Sequence, residues 1–197
     1  MEHPIIGVIG IRGSGKTLLT TGLANMYHNQ GKHIIANYDL YDIPFRKASF
    51  SGCIKNFDKL YDSVLVFDEI QVGAHAYDFY RKGVRALASL AEQMRKRRII
   101  LYFTSQHFKK VAVQIRRETN YIILPQMSEI NGVISCNVYD QNSMDIDTLV
   151  NTFIFDGRPY FDKYDTDEIV RDDAEIFTEV MLKTKKDKKN NYKPLTV

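Results

Sequence analysis

Tryptophan is absent from the 197 residues, and there are only two cysteines and five prolines. Cys53 and Cys136 lie far apart, with no C-x-x-C spacing and no histidine-rich neighbourhood. A disulfide framework or a structural zinc site is therefore not expected, and buried reduced thiols are. No apolar run approaches the ~18 to 20 residues that a bilayer span requires. The opening MEHPIIGVIG lacks the cationic segment and small-residue cleavage site of a secretory leader, so the expectation is a soluble, cytoplasmic protein. No proline-rich or serine-rich linker divides the chain, and no long period repeats. What is present, 44% hydrophobic and 26% charged residues, suits one globular core.

The net charge of +3 hides an uneven distribution. From Arg81 to Arg117 eleven Lys or Arg residues face a single acid, Glu92, and Lys183 to Lys193 adds six lysines against Asp187. Such a map suits a phosphate-facing surface, although charge runs also occur as merely solvated faces. The division expected is one folded domain over 1–182 and a basic tail over 183–197, too poor in apolar residues to fold alone.

Ile5 to Ile9 is an apolar run too short for a helix and fits a strand buried on both faces of a parallel sheet. Lys16 to Asn29 reads as a helix stopped by Gly31. Further strands are expected at His33 to Leu40, Ser63 to Phe67, Ile99 to Thr104 and Tyr121 to Leu124, with a helix at Val84 to Lys96. The alternation implies right-handed crossovers and a mainly parallel sheet covered on both faces, an α/β three-layer sandwich. Beyond Leu124, Ile130 to Tyr139 and Thr152 to Tyr164 are rich in β-branched and aromatic residues. With Asn131-Gly132 and Asp156-Gly157 as hairpin signals, they suggest an antiparallel extension. Asp173 to Leu182 reads as a last short helix.

Gly10-Ile11-Arg12-Gly13-Ser14-Gly15-Lys16-Thr17 fits G-x-x-x-x-G-K-[ST], between a predicted buried strand and a predicted helix that continues through Leu18. At average residue usage this pattern arises by accident in a chain this long less than about once in a hundred. Its glycines let backbone N–H groups turn towards phosphate oxygens, aided by the helix N-terminus. Gly10 to Leu18 is thus the expected nucleotide cradle, with Lys16 reaching the β and γ phosphates and Thr17 holding Mg²⁺.

A metal-orienting acid and a base are also needed. Val64 to Phe67 is followed by Asp68-Glu69, so Asp68 is the expected Mg²⁺ partner through water and Glu69 the residue that polarises an attacking water. Gln71 stands where a small GTPase would need the glycine of D-x-x-G, and N-K-x-D is absent, so ATP hydrolysis is favoured over GTP switching. The strand Ile99 to Thr104 runs into Ser105 and Gln106, whose amide can hydrogen-bond water and phosphate and so report on the γ-phosphate. His75, His107 and the tyrosines are read as ordinary solvated or core side chains.

The P-loop, the apolar strand ending in Asp68-Glu69 and the later strand ending in Gln106 together resemble the HerA/FtsK superfamily of DNA-pumping ATPases. Within it the chain resembles viral genome-packaging ATPases and the zonular occludens toxin-like assembly proteins of filamentous phages. Asn37-Tyr38-Asp39-Leu40, Arg95-Lys96 and Ile115 to Thr119 are similar to segments of those proteins. The likeness spans roughly residues 4 to 125. It implies an additional-strand sheet, with the Gln106 strand inserted between the P-loop strand and the Asp68 strand. It also implies an arginine finger supplied across a hexameric or pentameric ring, for which Arg95 fits best and Arg97, Arg98, Arg116 and Arg117 remain open. Double-stranded DNA, further copies of the chain, and capsid or membrane-associated portal components are the implied partners, in the host cytoplasm or on the virion. Packaging into a capsid is the first expectation, nucleotide-dependent assembly or export of a filamentous virus the second, and a small-molecule kinase the third.

Overall fold

In the computed structural model the described residues are 4–73, 92–128, 132–141 and 148–165. The start of the basic stretch at Arg81, most of the helix expected at Val84 to Lys96, Asp173 to Leu182 and the lysine tail lie outside them. Residues 92–96 are helical, as expected.

Among the described residues eight strands form one sheet. They are β1 Ile5–Ile9, β2 His33–Ala36, β3 Phe45–Lys47, β4 Ser63–Phe67, β5 Ile100–Ser105, β6 Tyr121–Met127, β7 Val133–Asp140 and β8 Thr148–Asp156. The helices used below are α1 Lys16–Asn29, α2 Phe50–Lys55, α3 Ile70–Gly73 and α4 Val113–Glu118. The order across the sheet is β3-β2-β4-β5-β1-β6-β7-β8, parallel from β3 to β6 and antiparallel from β6 to β8. The strand leading to Gln106 is therefore inserted between the strand leading to the glycine-rich loop and the one leading to Asp68.

Every residue of β1, β4 and β5 is buried. Their side chains alternate between two cores, as the pleat requires. Ile5, Ile9, Leu65, Phe67, Leu101 and Phe103 pack with Phe50, Met94 and Ile115 on one face. Ile6, Val8, Val64, Val66, Ile100 and Tyr102 pack with Leu18, Leu19 and Ala24 of α1 on the other. Helices thus cover both faces, which makes the three layers. Gly31 ends α1 in the left-handed region at φ 85°. There the N–H groups of Gly31 and Lys32 return to the carbonyls of His28 and Tyr27 at 2.8 and 3.0 Å.

Three expectations are corrected. The second strand ends at Ala36 instead of Leu40: the Asn37 N–H makes a last bond to the Val66 carbonyl at 3.3 Å, and its side-chain amide turns to the Asp68 backbone. Asp156-Gly157 makes no hairpin. Its carboxylate instead accepts from the Arg158 backbone and guanidinium at 2.6 to 3.1 Å and starts a 3₁₀ turn at Arg158–Tyr160. The fifth strand runs on to Met127, and Pro125 is tolerated because pairing with β1 has already stopped at Ile123. The sequence pattern also passed over β3, a short edge strand with two exposed cations, and α2, capped by Ser49.

Candidate active site

In a parallel sheet the carboxyl ends of adjacent strands open onto one crevice. Here β1, β4 and β5 deliver the glycine-rich loop, Asp68-Glu69 and Gln106 to the same edge. The loop needs glycine where the chain turns left-handed, at Gly13 (φ 79°) and Gly15 (φ 91°), the latter being the N-cap of α1. No acid lies in the first turn of α1 and no side chain caps it, so its N–H groups are left for an anion.

Lys16 is buried, and its ammonium donates to the Ile11 carbonyl of its own loop at 2.8 Å. Burial lowers its pKa, while the nearby Asp68 and Glu69 carboxylates hold it up. Ser14 Oγ is buried without any hydrogen-bond partner. A side chain at Gly10 would collide with it, the added Cβ standing 2.6 Å from that oxygen. A buried cation turned onto a backbone carbonyl, an orphaned hydroxyl and unused amides together fit a polyphosphate. Ile11, Arg12 and Gly13 are exposed at the loop tip, while the Leu18 side chain is in the core.

Thr17 Oγ1 lies 3.1 Å from Asp68 Oδ2 and 3.3 Å from Oδ1, joining the two expected metal partners. Among the described residues no group of three or more acids, histidines or cysteines could hold a metal ion alone. The Thr17–Asp68 pair itself suits Mg²⁺, which takes one or two protein oxygens and completes its shell with phosphate and water. Burial pushes the Asp68 carboxyl above its ordinary range, against hydrogen bonds from Thr104 and Thr17 that favour its charged form.

Glu69 occupies the left-handed region at φ 45°, an unusual place for a side chain of its size. Two side chains hold the turn there. Asn37 donates from Nδ2 to the Asp68 carbonyl at 2.8 Å and accepts the Asp68 N–H on Oδ1 at 2.7 Å. Thr104 Oγ1 accepts the Glu69 N–H at 2.9 Å and donates to the Asp68 carboxylate. Gln106 Nε2 then donates to Glu69 Oε1 at 3.2 Å. Sequence reasoning missed the roles of Asn37 and Thr104. The available signal was the placement of a short polar side chain directly after, or at the end of, an apolar parallel strand.

Ile134 of β7 was missed altogether. Its Cδ1 stands 2.6 Å from where a Cβ on Gly15 would lie, so the antiparallel extension underpins the cradle. Arg95 is exposed on the helical segment before β5, at the amino edge of the sheet. The six residues of β5 put that edge ~20 Å from Gln106 at ~3.3 Å per residue. Arg97 and Arg98 lie at the same edge: Arg97 donates to the carbonyl of Asp58 at 2.7 Å, and the Arg98 guanidinium lies 5.9 Å from the Tyr61 ring centre. Arg116 is tied to the Val111 carbonyl at 3.0 Å, and Arg117 is exposed.

The family model described as an AAA domain matches residues 2–128, well over half of the chain. The chain belongs to the AAA domain family. The match includes the whole constellation from Gly10 to Gln106, and the family points to a P-loop ATPase-like domain that binds nucleotide. No curated protein sequence matches it. Among solved structures it is similar to the N-terminal domain of zonular occludens toxin from Neisseria meningitidis, at 15% identity and a TM-score of 0.54. That likeness covers 84% of this chain and 100% of the other, more than the AAA match spans, so the shared fold reaches past residue 128. No helix among the described residues is long and apolar enough to cross a membrane.

Proposed function

We propose that this AAA domain is a Mg²⁺-dependent ATP hydrolase of the HerA/FtsK packaging type, working in a ring to move double-stranded DNA into a virus particle. The observation that carries the reading is the linkage of Thr17, Asp68, Thr104, Glu69 and Gln106 by hydrogen bonds at one sheet edge. Lys16, Ser14 and the loop amides would hold the β and γ phosphates, with Thr17 and Asp68 as the protein partners of Mg²⁺. The metal would neutralise charge on the phosphate oxygens.

Glu69 would take the proton from the attacking water. Its carboxylate is already engaged by the Gln106 amide, so Gln106 would govern when Glu69 is free to do so. Arg95, remote from the site of its own subunit, would serve a neighbour's γ-phosphate. The reading puts this work in the host cytoplasm or on the virion, beside capsid or portal components. The likeness to the toxin domain beyond residue 128 favours a second reading, nucleotide-dependent assembly or export of a filamentous virus.

The test is an ATPase assay with and without duplex DNA. Hydrolysis should be stimulated by DNA under packaging, and be indifferent to it under the second reading. Glu69→Gln should lower turnover by ~10²-fold or more while ATP binding persists. No binding of any magnesium nucleotide by the wild type would end both readings.

A further inference from the structure

At the amino edge of the sheet, opposite the nucleotide site, an open cleft of about 670 Å³ lies between the end of α1, the first residues of β2 and β3, and the approach to β4. His28, Lys32, His33, Arg46, Lys59 and Tyr61 line it, and no acid does. Lys32 is paired with Asp62, just outside the lining. Arg46 is exposed and makes no ion pair among the described residues, and the nearest partner of the exposed Lys59 ammonium is the neutral amide oxygen of Asn56, 3.4 Å away. The floor is apolar, from Ile34, Ile35 and Leu60.

Tyr61 adds what a plain anion site does not need. The residue is 53% exposed, with the Arg98 guanidinium 5.9 Å from the ring centre. The loop carrying it is held on both sides. The Asp62 N–H donates to the Arg97 carbonyl at 2.8 Å, and the Arg97 guanidinium donates to the carbonyl of Asp58 at 2.7 Å. Unneutralised cations beside an exposed ring on a tethered loop match a ligand offering both phosphates and flat faces. A nucleic-acid single strand offers both, whereas a duplex keeps its base faces stacked inside.

We propose that this cleft binds a single-stranded stretch of nucleic acid, with backbone phosphates on Arg46 and Lys59 and a base stacked on Tyr61. The proposal goes beyond the motor reading, in which a duplex is moved, by assigning a single strand to a second surface, and it rests on the DNA-handling part of that reading for its biological setting. The cleft lies on the edge away from the P-loop, so strand binding and nucleotide binding are separately measurable.

The test follows labelled oligothymidylate by fluorescence anisotropy on the full chain, nucleotide-free, over a salt series. A double variant, Arg46→Glu with Lys59→Glu, should weaken binding at least ~10-fold and flatten the log–log salt slope by ~1.4, about 0.7 for each single-strand phosphate deprived of its cation. Tyr61→Ala should weaken binding ~5-fold or more, Tyr61→Phe should restore it, and affinity for a duplex of equal length should not respond to Tyr61. Unchanged affinity and slope in the double variant would overturn the proposal and leave any binding to other basic segments. Loss of duplex and single-strand binding alike, with no response to Tyr61→Ala, would also overturn it. Fluorescent ATP binding and thermal unfolding should match the wild type in every variant. If the wild type binds oligothymidylate here but no nucleotide, the motor reading falls and the cleft stands.

Discussion

Burial of Asp68 and Lys16 places two charges where solvation is poor, so the site costs stability that the nucleotide would return. The Asp68 carboxyl titrates above its ordinary range. The folded chain therefore holds that proton more tightly than the unfolded chain, and stability falls as pH rises from the free-aspartate value, ~3.9, through the raised folded value. Asp68→Asn removes the penalty and keeps an acceptor for Thr17. Its melting temperature without nucleotide should exceed the wild type's at neutral pH, each kcal/mol recovered showing as ~2–4 °C in a chain this size. The gain should vanish below about pH 4, and an equal gain at every pH would refute the ionic origin. At this scale the glycines, Lys16, Thr17 and the acid pair were legible in the sequence, because phosphate chemistry fixes their types and spacing. The clamp of Asn37 on the Asp68 backbone was not, because its two partners are distant in sequence and no spacing rule joins them.

Strands and helices position the cradle through contacts that periodicity alone does not reveal. The fully buried Ile134 of β7 backs Gly15, and Phe155 of β8 with Tyr160 fills the space beside Gly22 of α1, their rings stacked at 5.7 Å. Ile134→Ala should destabilise the fold by ~2–5 kcal/mol in urea unfolding. It should also raise KM for ATP several-fold more than it lowers kcat, because the loop loses its support but keeps its chemistry. Gly22→Ala would drive a methyl into Phe155 and Tyr160 and should cost ~1–3 kcal/mol. Wild-type urea midpoints for both would show that the extension is not coupled to the cradle. The central strands were readable as continuous apolar runs because both of their faces are covered. β3 was not: it has three residues, one half-buried and two charged, and pairs only because β2 is already in place.

Across the described residues, the candidate active site lies at the carboxyl edge of the sheet, and Arg95 with the cationic cleft lies at the amino edge. In the proposed ring, an arginine ~20 Å from its own site would meet a γ-phosphate across a subunit boundary. Hydrolysis per subunit should therefore rise with protein concentration. Arg95→Ala should hold it near the dilute-limit rate, ~10³-fold below the assembled enzyme if the residue acts as a finger. A wild-type rate for Arg95→Ala at saturating concentration would remove it from that role and turn attention to Arg97, Arg98, Arg116 and Arg117.

Local chemistry alone determined the P-loop, the acid pair, the buried parallel strands and the first helix, because each follows from residue type and spacing over a few positions. Tertiary structure alone decided that Gln106 meets Glu69, that Thr104 bridges the acid pair, that Ile134 lies under the loop, and that a cationic cleft forms at the far edge. Those relations join residues tens of positions apart, and only strand order and register bring them within reach of one another.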